Sequence, residues 1–375
     1  MKVTNAFAIL PLAIAAVFAL SPAHAATFCV ASADALAAAL ADAEANEEDN
    51  DILIRTGTYE APAAGFHIDL LEGEHSLSVA GGFTDEACTE RTHAASATVL
   101  DGRNAVRPLT IDTSHGFGNA DPTHSIVVTG LTFRHGADTV ASGLKISDSG
   151  PIYGGIIIVE GNAFLDNATT GGSLFQGGPA LSAATDGPDF AGGTGLFVRN
   201  NLFARNAAPT APAVFVYSNN RIAVSNNTFV DNISTDATLE ERVTFGFFTF
   251  SGIAFGNNVF AGNNAEGDAA TFDLHTTDVT DLLDNAIVST TGTPHSDEGS
   301  IDADPHFVDA TSGNYRLAEA SPLIDAGTDA PAGGAAEFDL DGTARIKGAH
   351  IDIGAYEFEA EVSTEQIFTD GFDPS

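Results

Sequence analysis

The sequence predicts an all-β fold, a right-handed parallel β-helix (solenoid) with a short N-terminal capping helix. Three observations predict it. A motif of the form Asn-x-Phe-x-x-Asn returns through the middle of the chain, short runs of β-branched and aromatic residues precede its copies, and helical periodicity is nearly absent after residue 50. A short strand cannot bury its apolar face alone, whereas stacked copies of one coil form long parallel sheets around a continuous interior.

Each copy of the motif carries a phenylalanine, and successive phenylalanines lie 26 to 39 residues apart. This uneven spacing indicates one coil with loops of variable length. Stacking predicts an internal column of rings, and columns of asparagine at tight turns, where Asn tolerates left-handed conformations and can hydrogen-bond neighbouring backbone. The predicted ladder residues are Phe133, Phe164, Phe203, Phe229, Phe260, Asn162, Asn201, Asn227 and Asn258. A β-propeller or a sandwich is the alternative fold. A propeller needs about 40 residues per four-stranded unit, and the shorter units do not supply them.

Residues 1–25 have the form of a secretory signal peptide. Lys2 supplies a positive start, an apolar run extends from Ala6 to Leu20, and a small-x-small site precedes residue 26. The apolar run is shorter than the about 20 residues that a membrane span needs. We therefore expect an exported protein, secreted or on the cell surface, with no transmembrane segment in the mature chain.

The mature chain divides into four predicted regions. Leu36 and Leu40 are four residues apart among alanines, which indicates a short amphipathic helix over the open end of the first coil. The predicted regions are an N-terminal cap at 26–51, β-helix repeats at 52–300, a C-terminal region that completes or caps the solenoid at 301–359, and a tail at 360–375.

The chain has two cysteines, Cys29 and Cys88, and both lie in the part expected to be exported. Disulfides persist in such compartments, so we predict that the two are bonded, with free thiols as the alternative. No Cys-His signature surrounds either residue, which gives no support to a catalytic role.

The formal net charge is −37. Such a surface repels nucleic acid, anionic lipid and polyanionic sugars unless a cation such as Ca²⁺ bridges them. We therefore expect no nucleic-acid partner, no required cofactor, and Ca²⁺ only as an optional bridging ion.

Two parts of the chain resemble known exported proteins. Four early segments resemble the opening of bacterial pectin-lyase-like β-helix proteins: Ile52–Tyr59, Val79–Phe83, Cys88–Arg91 and Val99–Gly102. An ordered later series resembles the choice-of-anchor Q domain of exported bacterial β-helix proteins: Asp302–Asp309, Asn314–Leu317, Ser321–Thr328, Asp339–Gly342 and Asp352–Glu357. The resemblance implies fold and export, and no single activity. The tail segment Ile367–Asp373 resembles a short terminal motif of some exported bacterial proteins, which leaves release or anchoring open.

One column carries candidate chemistry. Two residues after each motif phenylalanine the chain reads His135, Asp166, Arg205, Asp231 and Gly262. The stacked Asp166, Arg205 and Asp231 are the candidate catalytic residues, because polysaccharide lyases need a positioned base and cationic stabilisation. The alternatives are a cation-binding strip and a surface ion-pair ladder contributing about 0–1 kcal/mol per pair, and we favour the ladder.

Three further features have structural interpretations. The segment Asp339-x-Asp341-Gly342 resembles a calcium loop, but His350 stands where the last ligand would be Glu, so we expect a capping turn rather than a metal site. The tripeptide Arg345–Lys347 matches one in polygalacturonases, whose other motifs are absent here, and we interpret it as a coincidence. The loop Asp186–Gly193 is our predicted wall of a binding groove.

The sequence is compatible with two functions. The first is an exported, monomeric β-helix protein that binds extracellular polysaccharide or another cell-surface partner without recognisable catalytic residues. The alternative is a polysaccharide lyase or glycosidase of the pectin-lyase-like fold, and fold likeness alone is a weak argument for activity.

Overall fold

The protein is described from a computed structural model. The structure describes residues 25–46, 48–71, 75–114, 124–149, 155–171, 179–185, 194–239, 242–264 and 271–360. These residues form a right-handed parallel β-helix, which confirms the predicted fold class. Each full coil adds a strand to each of three long parallel sheets. The middle coils also add a two-residue strand to a fourth sheet.

The ten-stranded sheet runs the length of the described solenoid. Its strands, in spatial and chain order, are Ala26–Val30, Asn50–Arg55, Leu77–Phe83, Ser125–Thr129, Ile156–Glu160, Thr194–Arg199, Arg221–Ser225, Ile253–Gly256, Thr280–Leu283 and Ser296–Glu298. The eight-stranded sheet comprises Phe66–Leu71, Leu109–Ser114, Leu144–Ser149, Leu181–Thr185, Val214–Ser218, Arg242–Thr249, Thr271–Thr276 and Thr290–Gly292.

Two narrower sheets complete the wall. The seven-stranded sheet comprises Gly57–Glu60, Thr98–Asp101, Thr132–Arg134, Ala163–Leu165, Leu202–Ala204, Thr228–Val230 and Val259–Ala261. The four-stranded sheet comprises Ala137–Asp138, Ala168–Thr169, Ala207–Ala208 and Ile233–Ser234. An antiparallel pair, Phe307–Asp309 with Asn314–Leu317, lies outside the solenoid, and short 3-10 turns occur at Ala95–Ala97 and Ala310–Ser312.

The five motif phenylalanines form a continuous internal column. Their ring centroids lie 5.0, 4.7, 5.0 and 4.5 Å apart from Phe133 to Phe260, and all five rings are buried. These distances match the spacing of neighbouring strands, about 4.7–4.9 Å, because each ring belongs to one strand of the seven-stranded sheet. The backbone register pairs each phenylalanine directly with the next.

The asparagine ladder is built from buried side chains. The Oδ1 atom of Asn201 accepts a hydrogen bond from the Asn162 backbone N–H at 2.9 Å, and its amide nitrogen donates to Val159 O. Asn227 and Asn258 repeat the contact in the following coils. Our expectation of left-handed backbone at the ladder asparagines is wrong. The residue before each one adopts it, as at Asn200, Asn226 and Asn257 with φ of 56°.

The physical reason is that these corners use two residues for two tasks. The first turns the chain through a left-handed conformation, and the next points its amide inward, where it satisfies backbone groups of the neighbouring coil. The last asparagine of the motif forms a second ladder in the same way. The Oδ1 atom of Asn206 accepts from Asn167 N at 3.1 Å, and that of Asn232 accepts from Asn206 N at 3.1 Å.

The N-terminal segment caps the solenoid with the helix Ala33–Ala45. Ser32 caps this helix by accepting from Ala35 N at 3.2 Å, and the helix buries Leu36 and Leu40 against the first coil. The predicted cap region 26–51 also contains the first strand of the ten-stranded sheet, which pairs in parallel with Asn50–Arg55. The solenoid therefore begins before residue 52.

The predicted disulfide is confirmed. Cys29 and Cys88 are bonded with their Cα atoms 5.8 Å apart, and no cysteine of the chain is free. The bond ties the first strand of the ten-stranded sheet to the loop that follows Leu77–Phe83. It therefore joins the cap to an early coil.

The C-terminal region lies along the side of the solenoid. We expected 301–359 to complete or cap it, and Ile301 does pair in parallel with Ala286. Beyond that point the chain turns back towards the early coils, where the Phe338 ring stacks on His93 at 3.9 Å. Its residues Tyr315, Leu340 and Tyr356 pack on the apolar outer face of the seven-stranded sheet. Burial of that face is the physical reason for the side position.

Candidate functional site

The outer face of the eight-stranded sheet presents regular rows of side chains. Successive residues of a strand point to opposite faces, and parallel in-register pairing sets outward residues of neighbouring coils side by side. One row passes from Asp69 through Asp112, Ser147, Ala184 and Tyr217 to Phe248. The face is therefore charged at its early coils and aromatic at its late coils.

The aromatic end is a patch of four side chains, which we call the aromatic patch: Phe215, Tyr217, Phe248 and Phe250. The Tyr217 and Phe248 rings stack with centroids 5.7 Å apart, and Phe250 meets Phe248 edge to face at 5.0 Å. Phe248 is 38% exposed and Phe250 is 69% exposed. Clustered exposed rings of this kind mark interaction surfaces.

A glycine shapes the floor of the aromatic patch. Gly246 lies beside Phe215 in the next strand, and a Cβ atom added at Gly246 would be only 3.0 Å from the Phe215 ring. The absence of a side chain there leaves room for the ring to cover the neighbouring strand. The Phe215 ring therefore lies over the backbone at Gly246.

The other end of the face holds a charged cluster of His67, Asp112 and Lys145, which three adjacent strands supply. The Lys145 ammonium lies 2.5 Å from Asp112 Oδ1, and His67 Nε2 lies 3.5 Å from Asp112 Oδ2. Nearby, Arg107 donates to the Thr110 hydroxyl at 2.9 Å and pairs with Asp138 at 2.9 Å. Lys145 and Arg107 each lie beside a carboxylate, Asp112 and Asp138 respectively, so these charges are paired.

Small side chains separate the two ends. Ser147 points outward from the strand of Lys145, and Ser182 and Ala184 point outward from the one strand between the charged cluster and the aromatic patch. Four strand steps separate Asp112 from Phe248, which corresponds to roughly 19 Å at the usual strand spacing. The outer face thus forms a shallow strip along the solenoid axis, long enough for several units of a linear polymer.

The candidate column Asp166, Arg205 and Asp231 lies on a different surface, where the C-terminal region contacts the seven-stranded sheet. The three residues share left-handed backbone, with φ near 55°. Arg205 binds Asp166 through two hydrogen bonds of 2.8 Å. Asp231 is not its direct partner, because the Tyr315 hydroxyl accepts from Arg205 at 2.9 Å and donates to Asp231 at 3.2 Å.

These contacts hold Arg205 in its charged form. The hydrogen bond to Asp166 raises the pKa of Arg205 above its usual value, and the neighbouring Tyr315 hydroxyl acts in the same direction. A base would need a neutral guanidine, so the environment opposes that role. The geometry fits the ion-pair ladder, extended by a tyrosine from the C-terminal region.

Asp339 and Asp341 have protein partners in the structure. Asp339 Oδ1 accepts from the backbone N–H groups of Asp341 and Thr343 at 3.1 and 2.8 Å, and Asp339 Oδ2 accepts from Glu357 N at 3.1 Å. Asp341 binds the Arg316 guanidinium. This arrangement is a carboxylate-capped turn. Among the described residues, no group of three or more His, Cys, Asp or Glu side chains is placed to hold a metal ion.

Arg345 belongs to the tripeptide Arg345–Lys347, whose match to polygalacturonases we interpret as a coincidence, and it has a structural role. Its side chain is buried, donates to Asn200 Oδ1 at 3.1 Å, and lies 3.3 Å from Glu357. The predicted groove loop 186–193, the predicted signal segment up to residue 24 and the tail motif Ile367–Asp373 lie outside the described residues.

Sequence reasoning missed the aromatic patch and the charged cluster. The alternation in Val214–Ser218 places Phe215 and Tyr217 on one face, and this pattern could have predicted that the two rings lie together. The outward position of Lys145 and its meeting with Asp112 and His67 depend on the register of three strands separated by loops. That register is not visible in the individual segments.

Comparisons with known proteins show no family for this chain. No protein-family model matches the chain, and no curated protein matches it. A search of solved structures found the crystal structure of pectate lyase Pel9A, with 14% sequence identity and a TM-score of 0.32, covering 90% of this chain and 98% of that one. The fold assignment therefore rests on the strand pairing of this chain. Within the described residues, no helix is long and apolar enough to span a bilayer.

Proposed function

We propose that the protein is an exported β-helix that binds a neutral, linear polysaccharide along the outer face of the eight-stranded sheet. The observation that carries the proposal is the aromatic patch at one end of a flat strip. Sugar rings present apolar C–H faces that stack on aromatic rings, and Phe248 and Phe250 expose such rings to solvent.

The charge of the protein supports a neutral polymer over a uronate. The net charge of −37 repels polyanions, and Lys145 and His67 both lie beside Asp112. The charged end of the strip offers carboxylate and ammonium groups to sugar hydroxyls. Binding of a uronate polymer would require Ca²⁺ as a bridge.

Export and domain organisation are parts of the same proposal. The signal-like residues 1–25 and the disulfide between Cys29 and Cys88 support an oxidising, extracytoplasmic location, secreted or at the cell surface. The ordered segments from Asp302 to Glu357 support membership of the bacterial choice-of-anchor Q group. We propose that the protein acts as a monomer, with region 301–359 stabilising the solenoid and 360–375 as its tail.

Binding is tested by titrating purified protein with a panel of neutral and uronate polysaccharides, with and without Ca²⁺. The double variant Phe248→Ala/Phe250→Ala should lose at least about tenfold in affinity for the neutral ligand. Val288→Ala removes another exposed apolar side chain, 61% exposed, and should leave affinity unchanged. Equal affinity of the double variant and the wild type would contradict the assigned face.

The same samples test the enzymatic alternative. New reducing ends or unsaturated products would contradict a purely binding role. If such activity appears and survives Arg205→Ala, the column of Asp166, Arg205 and Asp231 has no part in the chemistry.

A further inference from the structure

The C-terminal region lines a cavity of about 550 Å³. Val308, Leu317 and Phe358 are apolar lining residues of this cavity, and Glu357 is one of its charged lining residues. Arg316 and Lys347 at this cavity have carboxylate partners, Asp341 and Glu359 respectively. The cavity therefore combines an apolar surface with an acidic surface.

Glu357 also belongs to a buried cluster with one cation and three carboxyl groups. Arg345 lies 3.3 Å from Glu357 and is also attracted by Asp339 and Asp352. Three ionised carboxylates would exceed the charge of one guanidinium by two. Burial raises the pKa of Glu357 to about 8, and the nearby Asp352 and Asp339 act in the same direction. The cluster thus relieves its excess negative charge by keeping a proton.

Five of the six carboxyl oxygens in this cluster accept backbone hydrogen bonds. Asp352 accepts from Asp325 N at 2.7 Å and Phe358 N at 2.6 Å, and Glu357 Oε1 accepts from Asp352 N at 3.1 Å. Both oxygens of Asp339 are used in its turn. Glu357 Oε2 is buried and has no hydrogen-bond partner among the described residues. A buried polar atom of this kind normally has a partner.

We propose that the cavity binds a small alkylammonium ligand. The ammonium donates to Glu357 Oε2 and supplies the second positive charge of the cluster, while the alkyl chain lies against Val308, Leu317 and Phe358. A divalent metal ion needs several oxygen ligands, and a single unpartnered oxygen does not provide them. A sugar hydroxyl would satisfy the oxygen but leave the excess charge in place.

This assignment predicts proton release on binding. In the free protein near neutral pH, the Glu357 carboxyl holds a proton, and an ammonium that pairs with the carboxylate displaces it. The charged groups that line the cavity besides Glu357 are Arg316, Lys347, Glu319, Asp341 and Glu359. Arg345, Asp339 and Asp352 act on Glu357 from the buried cluster. Affinity should rise as the pH is raised from 6 to 8.5, while the amine stays protonated.

The test is calorimetric titration of the full-length protein with cadaverine at pH 7, in two buffers of different ionisation enthalpy. The uncharged 1,5-pentanediol is the comparison ligand, and Nα-acetyl-lysine amide tests an amine carried on an amino acid. We expect saturable cadaverine binding with proton release, at least about tenfold tighter than diol binding. Binding of the diol with equal affinity would overturn the proposal.

Matched variants distinguish ligand binding at Glu357 from general attraction of a cation to the acidic protein surface. Glu357→Gln should weaken cadaverine binding at least about tenfold. Glu319→Gln removes the same charge from an exposed residue at the same cavity and should change affinity less than about twofold. Val308→Arg places a guanidinium at the exposed edge of the cavity and should block binding even if Glu357→Gln does not fold. Unchanged binding in Val308→Arg, or in a folded Glu357→Gln, would overturn the proposal.

Discussion

Replacement of Phe203 by alanine removes the central ring of the internal column. This ring stacks on Phe164 at 4.7 Å and on Phe229 at 5.0 Å, and its side chain is fully buried. Truncation of a buried phenylalanine costs about 3–5 kcal/mol in unfolding free energy, part of which is the cavity that remains. The two lost stacking contacts contribute about 0.5–1.5 kcal/mol each within that total.

The matched control is Phe248→Ala, which removes the same ring from a partly exposed site on the outer face. We expect this control to lose about 1 kcal/mol or less. The chain has no tryptophan, so guanidinium unfolding followed by far-UV circular dichroism is the suitable assay. Equal midpoints and slopes for the two variants would refute the reasoning, because an internal column and an exposed patch cannot tolerate the same deletion equally.

Four further outcomes follow from the structure. Asn227→Asp should lower the unfolding free energy by about 2 kcal/mol or more in denaturant titration, because the new side chain cannot donate to Val198 O and buries a charge. An unchanged unfolding free energy would contradict the asparagine ladder. Reduction of the Cys29–Cys88 bond, which closes a 59-residue separation, should destabilise the protein by about 2–4 kcal/mol, measured with and without reductant. Because the folded-state pKa of Glu357 is raised to about 8, above its unfolded value, its stabilising contribution is present at low pH and is lost as pH rises through 8. Glu357→Gln should therefore flatten the fall in stability between pH 5 and 9. Arg205→Met should cost about 1 kcal/mol or less, because its pair with Asp166 is more than a third exposed, and it should not change polysaccharide binding.

The sequence contained the information for the repeat, because a coil must present the same side chain at the same place in every turn. The phenylalanine column could be predicted for that reason. The bond between Cys29 and Cys88 could be predicted because the part expected to be exported holds these two cysteines alone. The helix over the first coil could also be predicted from Leu36 and Leu40, because their spacing of four residues is a local pattern that does not depend on the rest of the fold.

The remaining features depend on contacts that the local pattern does not encode. The position of the region around Tyr315 and Leu340 could not be predicted, because it follows from the apolar outer face of the seven-stranded sheet and not from a repeat. Tyr315 enters between Arg205 and Asp231 from that region, which changes the expected column. The aromatic patch and the charged cluster depend likewise on strand register across loops.

In-register parallel stacking is the basis of the whole outer face, and an engineered disulfide tests it directly. Ser147 and Ala184 are paired neighbours in adjacent strands, so cysteines at both positions fall within the Cα separation that a disulfide accepts. Cysteines at Ser147 and Ser182 are offset by two residues on the same face. After mild oxidation, mass spectrometry of the digested protein should find the 147–184 link in nearly all molecules and little of the 147–182 link. Equal yields, or a dominant 147–182 link, would contradict the register on which the proposed binding face depends.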